Sequence, residues 1–220
     1  HVPAEQREER IFTIVNQLNA GVALVNTPAE RWQVAELNLL AGKKAKTAAA
    51  WGSAFDYLKA GIGLLEENDW AERYPLALAL CEETAEAAYL NQNFELMEEL
   101  ADSVSRRART VLDRVKVYEV RIQAAMARND PLEAIAIGLE ILDFLGVRFP
   151  EKPNRWHVLL AFLRTRWAWI GKNIEDLSDL PAMTDSTALA ATRVFSRIVT
   201  SSFAAAPKLK PLLILEMARL

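Results

Sequence analysis

Residues 118–146 read YEVRIQAAMARNDPLEAIAIGLEILDFLG, and this stretch decides the fold class. Its first half sets Tyr118, Ile122 and Ala125 at helical spacing, so the three share one face. Asn129-Asp130-Pro131 then breaks the pattern with a start signal. Asp130 can cap exposed amides, Pro131 suits the first position of a helix, and Glu133 adds an acid to the first turn. Beyond the turn, Ala134, Gly138 and Ile141 repeat the same spacing, and Gly146 closes the second helix. Short side chains on the facing sides let two helices joined by a tight turn approach closely.

Working outward, the pattern occurs twice more. Asn38, Gly42 and Ala45 precede Ala54, Leu58 and Gly61, and Cys81, Ala85 and Ala88 precede Met97, Ala101 and Val104. A tetratricopeptide repeat places an aromatic, a small and a Tyr-like residue on its first helix, then Ala, a bulky residue and Ala on its second. Here the match is loose. Met97 replaces the expected Ala, the aromatic appears only at Tyr118, and the steps Ala54 to Met97 and Met97 to Ala134 are 43 and 37 residues, against about 34 in the pattern. Longer steps predict longer helices or loops, and Met97 marks the second unit as the one expected to depart most from ideal geometry.

No segment shows the alternation of Val, Ile and Thr that a half-buried strand needs. The expected fold is all-α: antiparallel helical hairpins stacked as a tetratricopeptide-like right-handed solenoid, with another antiparallel helical array as the alternative. Residues 1–150 form the repeats with an N-terminal packing helix, and residues 151–220 continue as a helical segment truncated at its C-terminal end.

Ile11, Ile14, Val15, Leu18, Val22 and Val25 predict an amphipathic helix over residues 4–25. Thr27-Pro28-Ala29-Glu30 has the form of a capping box, and the helix it opens should run to about Thr47. Asn154 and Asn173 are further cap candidates, residues 173–184 read as a short helical turn and linker, and a helix follows from about Asp185 to Phe203. The chain opens on His1 and stops inside the apolar pattern Leu209–Leu220, which would leave that face uncovered and leads us to expect a piece of a longer protein.

Composition excludes several function classes. The 220 residues are 51% hydrophobic and 25% charged with eight glycines, as expected for one or two helix-rich domains. Cys81 is the single cysteine, so no intrachain disulfide can form and a reducing, cytoplasmic location is expected. No apolar run approaches the ~20 residues of a membrane span, and the N-terminus has no signal-peptide pattern. Residues 1–110 carry 11 Lys/Arg against 17 Asp/Glu, residues 111–220 carry 15 against 12, and the net charge is −3. That balance suits protein or interdomain contacts and lacks the dense basic stripe of a nucleic-acid binder.

Catalytic chemistry finds no support. Gly42-Lys43-Lys44-Ala45-Lys46-Thr47 has a phosphate-loop flavour, yet Leu37 stands where the first Gly belongs and Lys44 follows Lys43. The helical context makes it a basic helix face. His1 and His157 are the only histidines, which leaves no His/Cys metal cluster and no partnered general base. Glu95, Glu98, Glu99 and Asp102 share one helix and read as a solvated acidic face. No catalytic residue, cofactor or metal ligand is therefore expected.

Two candidate interaction surfaces remain. If the first helix of each hairpin lines a concave groove, that groove presents Leu39, Lys43 and Lys46, then Glu82, Glu86 and Tyr89, then Glu119, Gln123 and Met126. With basic residues at one end and acidic ones in the middle, Lys43, Lys46, Glu86, Tyr89, Gln123 and Met126 could seat an extended peptide or partner helix. Helices of the parent protein could equally fill it. The second surface is Arg164, Trp167 and Trp169 with Trp156 upstream, since Trp and Arg are the commonest interface anchors. The three tryptophans cannot all face one way, so one should pack inward and another meet a neighbouring module.

The runs Glu8–Gly21, Ala35–Lys46 and Leu180–Asp185 resemble the helical segment of very large bacterial signalling proteins. In that family the segment follows a STAND-type AAA-like ATPase module and precedes a GAF domain and a sensor histidine kinase, often with a serine/threonine kinase domain in front. The resemblance spans nearly the whole chain and implies a regulatory linker and scaffold. None of the family's catalytic motifs lies in this piece. The expected function is a non-catalytic scaffold for protein–protein or interdomain contacts; an independent peptide-binding adaptor is the alternative. Expected partners are flanking domains of the same chain or a partner peptide or helix, with a homodimer through the apolar C-terminal end as a further option, and neither nucleic acid nor membrane.

Overall fold

A computed structural model describes residues 4–150, 153–168 and 183–219. Among these residues every regular element is helical. The chain divides into two compact units, residues 1–109 and 110–220.

The first unit holds α1 (Ala4–Ala20), α2 (Pro28–Thr47), α3 (Trp51–Ile62), the one-turn α4 (Asp69–Glu72), α5 (Tyr74–Leu90) and α6 (Phe94–Arg107). α1 stops five residues short of the expected end, at Gly21, a poor helix former, and a single 3₁₀ turn, Val22–Leu24, leads on toward Pro28. Ile11 and Val15 are buried against Ala41, whereas Ile14 and Val22, expected on the same face, are exposed. Thr27 starts α2 as its sequence implies: its Oγ1 accepts from the Glu30 amide at 3.3 Å, and the Glu30 carboxylate accepts from the Thr27 amide at 3.1 Å. The Thr27 hydroxyl also donates to the Glu30 carboxylate at 2.9 Å, and this bond, followed by those from the Thr27 and Asn26 amides, holds the Glu30 carboxyl below the usual range.

Three hairpins, α2–α3, α5–α6 and the second unit's α7 (Leu112–Ala127) with α8 (Pro131–Phe144), share one turn. Its middle residue adopts the left-handed conformation, with φ 55° at Ala49, 61° at Gln92 and 60° at Asn129. The next amide reaches back five residues in the Schellman manner, from Ala50 to Ala45 O at 2.9 Å, Asn93 to Ala88 O at 2.8 Å and Asp130 to Ala125 O at 2.9 Å. Asn93 and Asp130 also cap the helices that follow, accepting from the Leu96 and Glu133 amides. The turn fixes the distance between the last small residue of one helix and the first marked residue of the next. Ala45 to Ala54, Ala88 to Met97 and Ala125 to Ala134 are therefore equal steps.

Every position that defines the repeat in the sequence, from Asn38 to Ile141, is buried. The second hairpin keeps the turn of the other two, and Met97 fills its place with no exposed surface, so the departure expected there does not occur. The long first step lies between hairpins instead. Between α3 and α5 the chain inserts α4, fastened by the buried Asp69 carboxylate, which accepts from Trp32 Nε1 at 2.8 Å and the Glu66 amide at 2.7 Å. Arginines close over the insert: Arg73 lies 4.6 Å from the Trp32 ring, Arg109 lies 4.1 Å from Tyr74, and Arg107 grips Glu67 at 2.7 and 2.8 Å.

After α8 the pairing changes. α9 (Arg155–Ala168), α10 (Ser186–Ala205) and α11 (Lys210–Met217) do not pack with their sequence neighbours alone: α10 lies on α8 and α7, and α11 lies on α9 and α10. Gly146, at φ 87°, closes α8, and the Asn154 Oδ1 accepts from the His157 amide at the start of α9. Asp185 caps α10 through the Thr187 amide. Asn173 and most of the expected linker lie outside the described residues.

Candidate functional site

The basic end and the acidic middle of the expected groove meet inside the first unit. α2 and α5 pack together, and their registers bring Lys46 Nζ onto the Glu83 carboxylate and to 2.6 Å from Glu86 Oε2. Glu83 is buried, and the Lys43 ammonium stands 3.8 Å from its other oxygen. Burial pulls the Lys46 ammonium down, but the hydrogen bonds and charges of Glu83 and Glu86 outweigh it and leave the value raised. Lys46 and Glu86 thus bridge two helices of the chain itself and are not open to a peptide. Tyr89 is half-buried, its ring 6.4 Å from Phe94.

Gln123 and Met126 are also engaged. On α7, Glu119 holds Arg193 at 3.1 Å and Arg197 at 3.6 Å, and Ser201 Oγ donates to Met126 Sδ at 2.9 Å. The Gln123 amide, with its oxygen turned toward α10, accepts from the Arg197 guanidinium at 3.3 Å. Their partners are all on α10, although Met126 stays exposed. Gly138 makes that packing possible: a Cβ there would stand 2.4 Å from Ile198 Cγ2.

Arg164 and Trp167 lie on α9, where the surface is of another kind. Trp156 and Trp167 are 71% and 77% exposed, and Leu159, Leu160, Phe162 and Leu163 are exposed too. The inward-packing tryptophan expected among the three is neither Trp156 nor Trp167; Trp169 lies outside the described residues. Leu160, Leu163, Arg164, Trp167 and Arg219 line an open recess of about 590 Å³ between α9 and the residues that follow α11. A second, larger recess, about 730 Å³, lies between Leu139 and Asp143 of α8 and the Ala206–Leu209 connection, with Arg148 held to Asp143 at 2.8 Å.

The buried titratable groups are structural. Burial pushes the Cys81 thiol up to about 12. Burial and the hydrogen bond to Glu140, 2.7 Å long, raise the Tyr118 phenol to about 12. Among the described residues no three His, Cys, Asp or Glu side chains converge as metal ligands, and no helix is long and apolar enough to cross a membrane. Sequence reading missed a buried amide pair: Asn19 and Asn38 exchange hydrogen bonds of 2.9 and 2.8 Å, joining α1 to α2.

No family model matches the chain, and no solved structure matches it. The chain is similar to "Hybrid signal transduction histidine kinase G" of Dictyostelium discoideum, 26% identical over 129 residues. That match covers 51% of this chain and 4% of the kinase. The relation is thus to a signalling protein, as the resemblance implied. It lends nothing to a STAND module, a tetratricopeptide family or a bacterial setting, the relative being from Dictyostelium.

Proposed function

We propose that this chain is a non-catalytic scaffold, built as a tetratricopeptide-like right-handed solenoid, that positions and couples modules of a multidomain signalling kinase. The observation that carries this reading is the recurrence of one hairpin turn at Ala49, Gln92 and Asn129, in a chain similar to part of a signal transduction histidine kinase. Repeated hairpins of fixed geometry transmit position well and offer no constellation of nucleophile and base. A free-standing adaptor that captures peptides in the first-helix groove is the weaker reading, because Lys46, Glu86 and Gln123 already have partners within the chain.

Two measurements test the scaffold. The purified chain should hydrolyse no ATP and transfer no phosphoryl group. In a kinase-bearing protein that carries the chain, Gly138→Leu, which forces α8 and α10 apart, should change the rate of autophosphorylation without touching the kinase core. ATP turnover by the chain that disappears in Lys43→Ala or Lys44→Ala would overturn the reading. So would autophosphorylation indifferent to Gly138→Leu.

A further inference from the structure

Among the described residues α9 has two apolar faces and only one is covered. Val158, Ala161 and Thr165 turn toward α11, where Ala161 is buried and Thr165 Oγ1 donates to Leu215 O at 3.2 Å. At about 100° per residue, Trp156, Leu160, Leu163 and Trp167 fall on the opposite face. Their spacing of four, three and four residues is that of a seam where one helix packs on another. All four are exposed.

The charged residues of α9 have one sign. Arg155 and Arg166 lie along one flank and Arg164 along the other, and α9 contains no Asp or Glu. Among the described residues none of the three arginines has an acidic partner; Arg219, at the recess, is held by Glu216 at 2.8 Å. A helix that buried the seam would bring its own flanking positions against these arginines. Acidic residues there would be paired, and basic ones would be repelled.

We propose that the face Trp156, Leu160, Leu163 and Trp167 is the docking seam for an amphipathic helix whose apolar stripe is flanked by Glu or Asp. This deepens the scaffold reading by naming the chemistry of the module that α9 holds. A second copy fits poorly, because α9 on α9 sets arginine rows against arginine rows. An anionic lipid surface also fits less well. It has no protruding side chain to enter the recess between Leu160, Leu163 and Trp167, and α9 lacks the charged outer face of an interfacial helix, its far side being packed on α11.

The test uses the whole chain and two labelled, helix-forming peptides of three heptads, identical along a leucine seam and carrying Glu or Lys at the flanking positions. Fluorescence anisotropy should show the Glu peptide bound at least about tenfold more tightly than the Lys peptide. The surface variant Arg155→Glu/Arg164→Glu/Arg166→Glu, checked by circular dichroism to be folded, should invert the preference. Leu160→Glu/Leu163→Glu should abolish binding of both peptides. Equal affinities, no binding, or a preference that survives charge reversal would overturn the proposal. Preferential partition onto phosphatidylserine vesicles, or a dimer dissolved by Leu163→Glu, would also overturn it, in favour of a membrane or a second copy. No kinase enters this assay, so failure here is separable from failure of the phosphorylation test.

Discussion

Gly42→Ala adds one methyl group, and its sign is set by what that methyl meets. In an open helix position the change stabilises by about 1 kcal/mol, since Ala restricts the unfolded chain and favours helix. At Gly42 the added Cβ would stand 2.4 Å from Leu58 Cγ, 2.8 Å from Cδ2 and 3.2 Å from Cδ1. Leu58 has no exposed surface, so it has nowhere to retreat. Overpacking of this kind costs about 1–3 kcal/mol, and with contact this close we expect its upper half to apply, for a net loss of about 1–2 kcal/mol. Gly52, on α3 in the same unit, has nothing within 4 Å of its added Cβ. Gly52→Ala should therefore stabilise by up to about 1 kcal/mol. Urea unfolding of the two variants should move the midpoint in opposite directions. The cycle with Leu58→Ala sharpens the comparison: that single change should cost about 2–5 kcal/mol, and adding Gly42→Ala to it should restore stability because the methyl enters the space vacated. If Gly42→Ala stabilises as Gly52→Ala does, or if the double variant is merely additive, the close approach of α2 and α3 is not what holds this hairpin.

The remaining predictions follow from single contacts. Lys46→Met should destabilise the first unit by about 2–4 kcal/mol near neutral pH, since it takes the nearest cation from the buried Glu83 carboxylate and leaves Lys43 at 3.8 Å; urea unfolding of the variant beside the parent checks this. Ala49→Gly should raise the thermal midpoint, because glycine relieves about 1 kcal/mol of left-handed strain at φ 55°. The Tyr118 phenol is raised to about 12 in the folded protein, so its contribution to stability is complete below about pH 10 and lost as pH rises through 12; Tyr118→Phe should lessen the fall in stability over that window. Cys81 should resist a thiol reagent at pH 8 in the native protein and react at once in denaturant, because burial holds its thiol near 12.

The hairpins were legible because their signals are local. A small residue just before a polar turn, and a cap just after it, are read within a dozen residues, and the positions from Asn38 to Ile141 that follow from that reading are buried. What the surface does with its charges was not legible. Lys46 is paired by residues 37 and 40 positions away, and Met126 by one 75 positions away, so only the tertiary fold shows that these groups are taken. Tryptophan misled in the other direction: its type argues for burial, yet Trp156 and Trp167, eleven residues apart, return to one face and lie in the open. The insert at α4 left only its length in the sequence, because Asp69 holds it through Trp32, a residue far back on α2.

The two kinds of surface have one cause. A helix within a hairpin is covered by its partner, and α3 and α8 are covered again by α5 and α10, so charged groups on α2, α5 and α7 find partners within the chain. α9 sits outside that rule: it follows α8 in sequence but packs on α11, and α10 takes the place against α8 that the next helix of a hairpin rhythm would take. Packed chiefly on α11, it keeps, among the described residues, a second apolar face and three arginines without acidic partners. Burying those four large side chains would supply far more binding free energy than any single charged residue of the hairpin surfaces. A helix that docks on α9 should therefore lose affinity on changes at Leu160 or Leu163 and tolerate changes at Lys43 or Tyr89.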